Sequence, residues 1–403
     1  MYQAQCDALL PLQTMASFAR AAIGVPAMRP FDGVVMRNAA ANYEMLARSG
    51  LRHTRPPFGI DRVHVGAQEY AVREESRLVT PFATLLHFVK DGAPPQSRVL
   101  VVAPLSGHFA TLLRGTVRTM LADHDVYVTD WHNARDVPLG DGPFDVDGYV
   151  EHVIRFLEAI GPGAHVVAVC QPAVAVLAAV AVMSEAQNAA TPLSMTLMAG
   201  PIDTRSNPTA VNELATSKPI EWFERTLIDR VPQRYAGGGR RVYPGFVQLG
   251  AFLQMNFERH VAAHRTLYLA LLDGDDAKAE TTRAFYDEYF AVLDLAAEFY
   301  LETVRTVFQE HALPRGRMTY RGRAVHPGAI ERTALLTVEG EKDDICGIGQ
   351  TSAAHELCIG LKPFRKRHHL QAGVGHYGVF NGARWNASIY PVVAATIGAS
   401  ERA

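Results

Sequence analysis

Three residue types in this chain could together carry nucleophilic catalysis, and each stands in a loop that follows an expected strand. Cys170 follows Val166–Val169 and precedes Gln171-Pro172 and the Ala-rich stretch Ala173–Met183. A thiolate attacks a carbonyl carbon readily, but turnover needs an imidazole to hold and return the proton and a carboxylate to fix that imidazole's tautomer. An acidic pair, Asp343 and Asp344, follows the apolar run Thr333–Val338 within Glu339-Gly340-Glu341-Lys342-Asp343-Asp344-Ile345. His376 stands in the glycine-rich loop Gly373-Val374-Gly375-His376-Tyr377-Gly378. The chain order is therefore nucleophile, carboxylate, histidine. Singly, each has a plainer explanation: a core cysteine, a solvated turn, a loop histidine. Their joint order and placement favour chemistry, with either aspartate available as the acid.

The elements that must position these groups can be read around Cys170. Val166–Val169 predicts a strand buried on both faces, and Ala173–Met183 predicts a buried helix. A strand that turns sharply into a helix at the nucleophile is a nucleophile elbow. Ala168 is small enough for it; Pro172 replaces the usual glycine two positions after the nucleophile, and suits a helix's first turn because its missing N–H would have no partner there. An oxyanion hole would use the Gln171 N–H and one N–H of the loop Pro104-Leu105-Ser106-Gly107-His108, with Leu105 and Ser106 as candidates.

Further strands are expected at Arg62–Val65, Tyr70–Val72, Ala83–Phe88, Arg98–Ala103, Asp125–Thr129, Leu193–Met198 and His368–Gln371, and helices at Ala110–Ala122, Val146–Ile160, Thr351–Leu361 and Asn386–Ile397. Alternation of strand and helix from about 98 to 200 predicts a parallel sheet covered on both sides. The pattern stops at about Thr204 and returns after Pro327. The expected organisation is a core in two parts, 1–203 and 328–403, with a mainly helical lid inserted over 204–327. With the nucleophile–acid–histidine order, this predicts an α/β-hydrolase core with a mostly parallel sheet. Between Trp222 and Phe308 lie 15 of the chain's 35 aromatic residues. Phe285, Tyr289, Phe299 and Tyr300, at helical spacing, read as packing for the insertion. Trp222, Phe223, Tyr243 and Phe246 flank Pro and Gly breaks and are the candidates for an adhesive surface. Residues 1–30 predict an irregular helix whose Leu9, Leu10, Leu12, Met15 and Phe18 pack on the domain.

Composition narrows the function classes. With 39 basic and 41 acidic side chains among 403 residues, the net charge of −2 gives no broad attraction to nucleic acid or to anionic membrane. Cys6, Cys170, Cys346 and Cys358 form no CxxC pair, which fits a reducing compartment. No basic segment leads into an N-terminal apolar core, so a cytoplasmic location is expected. Gln171 and Pro172 divide the apolar run Val166–Met183 into strand and helix, so it reads as core rather than as a membrane span. His260 and His264 have metal-ligand spacing, but Val261 stands where a zinc protease requires glutamate, and no metal is expected. Gly237-Gly238-Gly239-Arg240-Arg241 reads as a flexible turn with solvated arginines, and Asp273-Gly274-Asp275-Asp276 as a helix-starting turn.

Four strings now carry a resemblance: Ala103-Pro104-Leu105-Ser106-Gly107-His108, Val169-Cys170-Gln171-Pro172, Ala199-Gly200-Pro201-Ile202-Asp203-Thr204-Arg205 and Gly340-Glu341-Lys342-Asp343-Asp344-Ile345. Together they resemble the intracellular poly(3-hydroxybutyrate) depolymerase family, over most of the chain. The resemblance implies Cys170 as nucleophile, Asp343 rather than Asp344 as acid, and His376 as base. It also implies ester hydrolysis through an acyl-thioester, with no metal or organic cofactor, at the surface of polyhydroxyalkanoate granules. Ala175 stands where the family commonly has a second proline, a change expected to affect packing. Two other readings compete. A polyester synthase would resemble Gly-x-Cys-x-Gly, which Pro172 breaks; a non-catalytic granule-binding protein would not need all three catalytic residue types. Monomer preference, product size, a homo-oligomeric state and coenzyme A as acyl acceptor are left open at this level.

Overall fold

Apolar runs that are buried on both faces can only sit inside a sheet covered by helices, and in the computed structural model they assemble that way. Residues 4–23, 25, 33–48, 50–255 and 257–402 are described. The first strands are β1 (Arg62–Val65), β2 (Gln68–Val79), β3 (Ala83–Lys90), β4 (Ser97–Val102), β5 (His124–Trp131), β6 (His165–Val169) and β7 (Ser194–Met198). Three short strands, β8 (Asp229–Arg230), β9 (Arg241–Tyr243) and β10 (Leu295–Ala296), make a separate antiparallel ribbon, and β11 (Thr319–Tyr320) pairs with β12 (Arg323–Ala324). β13 (Ala334–Gly340) and β14 (Lys366–Gln371) complete a nine-stranded main sheet in the order β1-β2-β3-β5-β4-β6-β7-β13-β14.

β1, β2, β3 and β5 pair antiparallel in turn, and every pairing from β5 to β14 is parallel. This is the α/β-hydrolase fold. Its strand order sets β4 directly beside β6, so the loop after β4 and the elbow after β6 open at the same carboxyl edge. The loops after β13 and β14 open there too, because both run parallel to β6 through β7.

Helices cover the sheet. Two helices that precede the sheet, α1 (Ala4–Ile23) and α2 (Val34–Arg48), pack on each other, and those that cover it begin with α3 (Arg114–Met120), α4 (Val146–Ile160) and α5 (Ala173–Glu185). α4 shows how the sequence starts and stops such an element. Asp145 caps it by accepting from the Gly148 N–H at 2.7 Å, and Gly161, at φ +91°, ends it. Tyr149, Val150, Val153, Phe156, Leu157 and Ile160 form its buried face at 3–4-residue spacing. Truncating Phe156 to alanine there would cost about 3–5 kcal/mol. α5 is apolar all round and is buried along almost its whole length, as a helix over a central strand must be.

Between β7 and β13 lie α6 (Ala210–Ser217), α7 (Ile220–Leu227), α8 (Gly245–Met255), α9 (Phe257–Asp273), α10 (Asp276–Tyr289) and α11 (Ala297–Thr303). α10 packs on α9, α9 on α2 and α2 on α1. A buried carboxylate ties three of these together: Glu44 meets Arg283 Nε at 2.5 Å, Arg20 Nε at 2.8 Å and Arg48 Nε at 3.3 Å. Asp275 caps α10 by accepting from the Lys278 N–H at 3.0 Å, as the acidic turn predicts.

Several expectations need correcting. Leu9, Leu10, Leu12, Met15 and Phe18 do not pack on the domain; they are 45–72% exposed. α1 touches its neighbour through a narrow strip centred on the buried Ala16, which leaves the wide apolar face outside. Arg240 is not solvated. It is buried and donates to the carbonyls of Val137 and Gly142, each at 2.9 Å, and to that of Pro138, which satisfies a charge that burial would otherwise penalise. Gly237 is a close-approach position, since a Cβ there would stand 2.6 Å from the Arg135 carbonyl oxygen. Phe223 and Tyr243 are buried packing residues, with Tyr243 stacked on Tyr300 at 3.9 Å, so of the adhesive candidates only Trp222 and Phe246 remain half-buried. Of the aromatics assigned to packing, Phe285 is exposed while Tyr289 and Phe299 are buried.

Helix boundaries also differ. The expected helix at Ala110–Ala122 opens with a 3-10 turn over Ala110–Leu113 before α3. The last helix, Tyr390–Ser400, is preceded by a π turn at Trp385–Ile389, where Pro391 lacks an N–H that an unbroken α-helix needs. The helix expected over Thr351–Leu361 shrinks to Ala354–Leu357. Among the described residues no helix is long and apolar enough to cross a membrane.

Candidate active site

β6 ends in a ladder bond from the Cys170 N–H to the Met198 carbonyl at 2.7 Å, and Ala173 N–H then closes a turn on the Cys170 carbonyl at 3.1 Å. Between these two bonds the backbone must reverse, and Cys170 takes φ +68°, a left-handed conformation that costs a non-glycine residue about 1–3 kcal/mol. The strain lifts the side chain off the strand end, where it is half-buried. Pro172 sits in helical conformation just ahead of α5, and the Val176 N–H bonds its carbonyl at 2.8 Å. The small residue that the elbow needs comes from the neighbouring strand instead: at Gly200 a Cβ would lie 2.1 Å from Ala173 Cβ and 3.0 Å from the Cys170 carbonyl oxygen.

The three chemistry-bearing residue types meet. His376 Nε2 lies 3.1 Å from Cys170 Sγ, and its Nδ1 lies 2.8 and 3.0 Å from the two carboxylate oxygens of Asp343. Asp343 Oδ1 also accepts from the N–H groups of Ile345 and Cys346, at 2.9 and 2.8 Å, so the carboxylate cannot swing away from the imidazole without breaking them. Asp344 is exposed and points its chemistry elsewhere. Backbone bonds stitch the acid loop to the histidine loop: the Lys342 N–H reaches the Val374 carbonyl at 2.9 Å, and a Cβ at Gly340 would stand 2.6 Å from that same oxygen.

Burial alone would push the His376 imidazole down; the negative groups beside it, Cys170 and Asp343, outweigh this by charge and hydrogen bonding and raise it well above its ordinary value. The imidazole is placed to take the thiol proton as the sulfur attacks a carbonyl carbon. A thiol, an imidazole and a held carboxylate in line can therefore pass a proton to and from a bound group while the sulfur makes and breaks a bond to carbon.

One of the expected oxyanion donors faces the elbow residue that carries the other. The Leu105 N–H points at the Gln171 side-chain oxygen, 3.4 Å away, and the Gln171 N–H makes no hydrogen bond among the described residues. Ser106, the other loop candidate, is half-buried beside Leu105. Residues between β7 and β13 contact this loop: Leu293 N–H bonds the Gly107 carbonyl at 3.0 Å, His108 Nε2 bonds the Tyr289 carbonyl at 3.2 Å, and a Cβ at Gly107 would meet the Gln248 side chain at 2.7 Å.

His260 and His264 hold no such arrangement; His260 Nδ1 pairs with Tyr286 Oη at 3.0 Å and His264 Nδ1 with the His260 carbonyl at 2.8 Å. No cluster of three metal-ligating side chains occurs among the described residues. Two surface clefts, of about 390 and 510 Å³, are lined by none of Cys170, Asp343 and His376.

Sequence reasoning missed the supports. Glu339, fully buried at the end of β13, accepts from the N–H groups of Thr351 at 2.8 Å, Ser352 at 2.9 Å and Gly349 at 3.0 Å, and in doing so takes the turn that was read as helix. Thr351 Oγ1 in turn donates to the Gly200 carbonyl at 2.9 Å and accepts the Gly200 N–H at 2.8 Å, tying the acid loop to the strand beside the elbow.

Residues 199–401, just over half of the chain, match the family described as "PHB de-polymerase C-terminus". No curated protein matches the chain's sequence. Similar solved structures include 2-hydroxy-6-oxo-6-phenylhexa-2,4-dienoate hydrolase from Rhodococcus sp. strain RHA1, at 12% identity and TM-score 0.44 over 81% of this chain and 100% of that one. Another is monoacylglycerol lipase from Paleococcus ferrophilus, at 11% identity and TM-score 0.43 over 76% and 96%.

Proposed function

Because the chain belongs to the PHB depolymerase family and is a hydrolase of that fold, we propose that it cleaves ester bonds of amorphous poly(3-hydroxybutyrate) through Cys170, His376 and Asp343. The observation that supports this most directly is the unbroken line Cys170 Sγ–His376 Nε2–Asp343, at 3.1 and 2.8 Å, raised on a strained elbow. In the first half-reaction the Cys170 thiol gives its proton to His376 Nε2, its sulfur bonds the ester carbonyl carbon, and the carbonyl electrons move to oxygen. The N–H groups of Leu105 and Gln171 receive that oxyanion. Its collapse breaks the carbon–oxygen bond, His376 gives its proton to the departing alkoxide, and an acyl-thioester remains on Cys170. In the second half, His376 takes a proton from water, the hydroxide attacks the thioester carbon, the carbon–sulfur bond breaks to release a carboxylic acid, and His376 returns the proton to the sulfur. Asp343 holds the imidazole in the tautomer that both steps use. Neither half calls on a metal or an organic cofactor.

The substrate would be met at a granule surface, outside any membrane and without nucleic acid. The exposed apolar side chains of α1 support this reading, since a polyester surface offers apolar area against which they can be buried. The test is product analysis: purified protein with amorphous granules should release soluble hydroxyacid or oligomers, and Cys170→Ala should release none. Equal release by both would remove the mechanism. Accumulation of polymer from 3-hydroxybutyryl-coenzyme A would replace hydrolysis with a synthase reaction.

A further inference from the structure

Three buried hydrogen bonds converge on one residue just upstream of the oxyanion loop. Ala103 is the first residue after β4, and its carbonyl oxygen accepts from Trp131 Nε1 at 2.9 Å and from Tyr149 Oη at 3.1 Å. Its N–H donates to Thr129 Oγ1 at 2.9 Å. Ala103, Trp131, Tyr149 and Thr129 are all fully buried or nearly so, and the two aromatic rings lie against each other with centroids 4.3 Å apart. A strand's last carbonyl normally needs one partner; this one has two, both supplied by side chains from other elements.

The reason lies in the next residue. Pro104 fixes its own φ near −65°, and the peptide before it is planar. Once the Ala103 carbonyl is held, the proline ring is held with it, and a single soft torsion, Pro104 ψ, separates that fixed plane from the Leu105 N–H. That N–H points toward the elbow, as its contact with the Gln171 side-chain oxygen shows. Oxyanion donors act by being in place before charge develops, so freedom lost at Ala103 is freedom the donor does not have to lose in the transition state.

We propose that Trp131 and Tyr149 are positioning residues for the oxyanion hole, acting through the Ala103 carbonyl on the Leu105 N–H, with Thr129 holding the other side of the same residue. Burial pushes the Tyr149 phenol well above its ordinary value, so it remains a donor across the working pH range. The proposal rests on Cys170 acting as the nucleophile, and its test separates the two.

Tyr149→Phe removes one oxygen from the device and Trp131→Phe removes the other donor. Each variant is measured in three ways: hydrolysis of p-nitrophenyl butyrate, inhibition by an aliphatic trifluoromethyl ketone, and alkylation of Cys170 by iodoacetamide. The ketone accepts the sulfur at its carbonyl carbon and places an alkoxide in the oxyanion hole; iodoacetamide accepts the sulfur at a methylene carbon, expels iodide and makes no oxyanion. For Tyr149→Phe, kcat should fall roughly 5- to 20-fold with KM within about two-fold, ketone affinity should fall by a similar factor, and alkylation should stay within about two-fold of the parent rate. Trp131→Phe should show the same pattern, whatever its melting temperature. Unchanged kcat and ketone affinity in both variants would overturn the proposal. So would alkylation falling in step with kcat, which would assign the residues to general folding. A parent protein whose Cys170 is not alkylated, or whose Cys170→Ala variant still turns over, would instead overturn the nucleophile assignment itself.

Discussion

The carboxyl edge of the sheet and the layer formed by α1, α2, α9 and α10 solve the same problem, holding side chains in place, by different means. At the sheet edge the holding groups are buried backbone amides and carbonyls: Asp343 by two N–H groups, Glu339 by three, the Ala103 carbonyl by two side chains. In the helical layer one carboxylate, Glu44, gathers three arginines, and much of the apolar surface is left open. Backbone partners in a dry setting fix positions to a fraction of an ångström, as proton transfer requires, whereas long ionic side chains hold helices together while tolerating movement. The difference predicts that damage at the edge is catalytic and damage in the layer is not.

The largest effects should therefore come from the triad. Cys170→Ala should abolish turnover, His376→Ala should cost nearly as much, and Asp343→Asn should lower kcat by about 10³–10⁴-fold. Asp344→Asn, at an exposed position, should change kcat less than about two-fold. Measured on p-nitrophenyl butyrate, the opposite ranking of the two aspartates would break the comparison at its strongest point.

Glu339→Gln comes next, and reads stability before chemistry. The amide nitrogen of glutamine would face one of the three N–H groups now bonded to the carboxylate, leaving a buried donor without an acceptor. A loss of about 2–4 kcal/mol is expected in the denaturation midpoint. Glu44→Gln, in the helical layer, leaves the largely buried Arg283 underpaired and should cost less, about 1–3 kcal/mol, with hydrolysis of the soluble ester retained. Loss of soluble-ester activity in Glu44→Gln would show that the layer does constrain the site.

Acidification tests the core as a whole. His108 and His124 are buried, and burial holds both imidazoles down at about 4. Between pH 6.5 and 4 the unfolded chain takes up protons at these sites that the folded chain refuses, so stability is present above 6.5 and is lost as pH falls, on the order of 3 kcal/mol per histidine. Asp130 acts in the opposite sense: burial raises it to about 6 despite Arg55, so the folded chain takes its proton first and offsets about one histidine. His376, raised, contributes stability that is present below 6.5 and is lost only as pH rises through its folded value. A thermal midpoint falling below pH 6.5 is expected, with a flatter acid limb in His124→Leu; an unaltered limb would mean that His124 charges without cost.

The same contrast explains what could be read from the amino-acid order. Cys170 directly ends the apolar run Val166–Val169 and Asp343 follows the run Thr333–Val338 after a short turn, and such runs are interior strands; His376 follows the polar edge strand β14 and was legible only from its glycine-rich loop and the chain order. Glu339 was not legible, because a charge at a strand end looks solvated until the three N–H groups that surround it are known to come from residues 349–352. Arg240 misled for the same reason: nothing local shows that the carbonyls of residues 137–142 fold back over it. For α1, amphipathic spacing shows that an apolar face exists but not that its partner is missing.

That open face supplies the last and smallest effect on the enzyme itself. Leu10, Met15 and Phe18 are 59%, 69% and 72% exposed, so replacing all three with serine removes little packing and should leave the melting temperature and soluble-ester kcat within error. Granule binding should behave otherwise. If each side chain loses roughly 50 Å² to a polyester surface, the three contribute on the order of 3–4 kcal/mol at about 25 cal/mol per Å², before the cost of ordering them. Co-sedimentation of the Cys170→Ala protein with amorphous granules should then drop at least about ten-fold in the triple variant, and salt should hardly change it, because no charge is involved. Ile359 and Phe364 provide the control: they are 79% and 75% exposed but belong to the second part of the core, and serine there should leave sedimentation unchanged. Equal losses from both sets would mean that any exposed apolar side chain adheres and that α1 has no special part. A granule-free dimer that the triple variant dissociates would assign the face to a second copy of the chain, leaving granule contact to the half-buried Trp222 and Phe246.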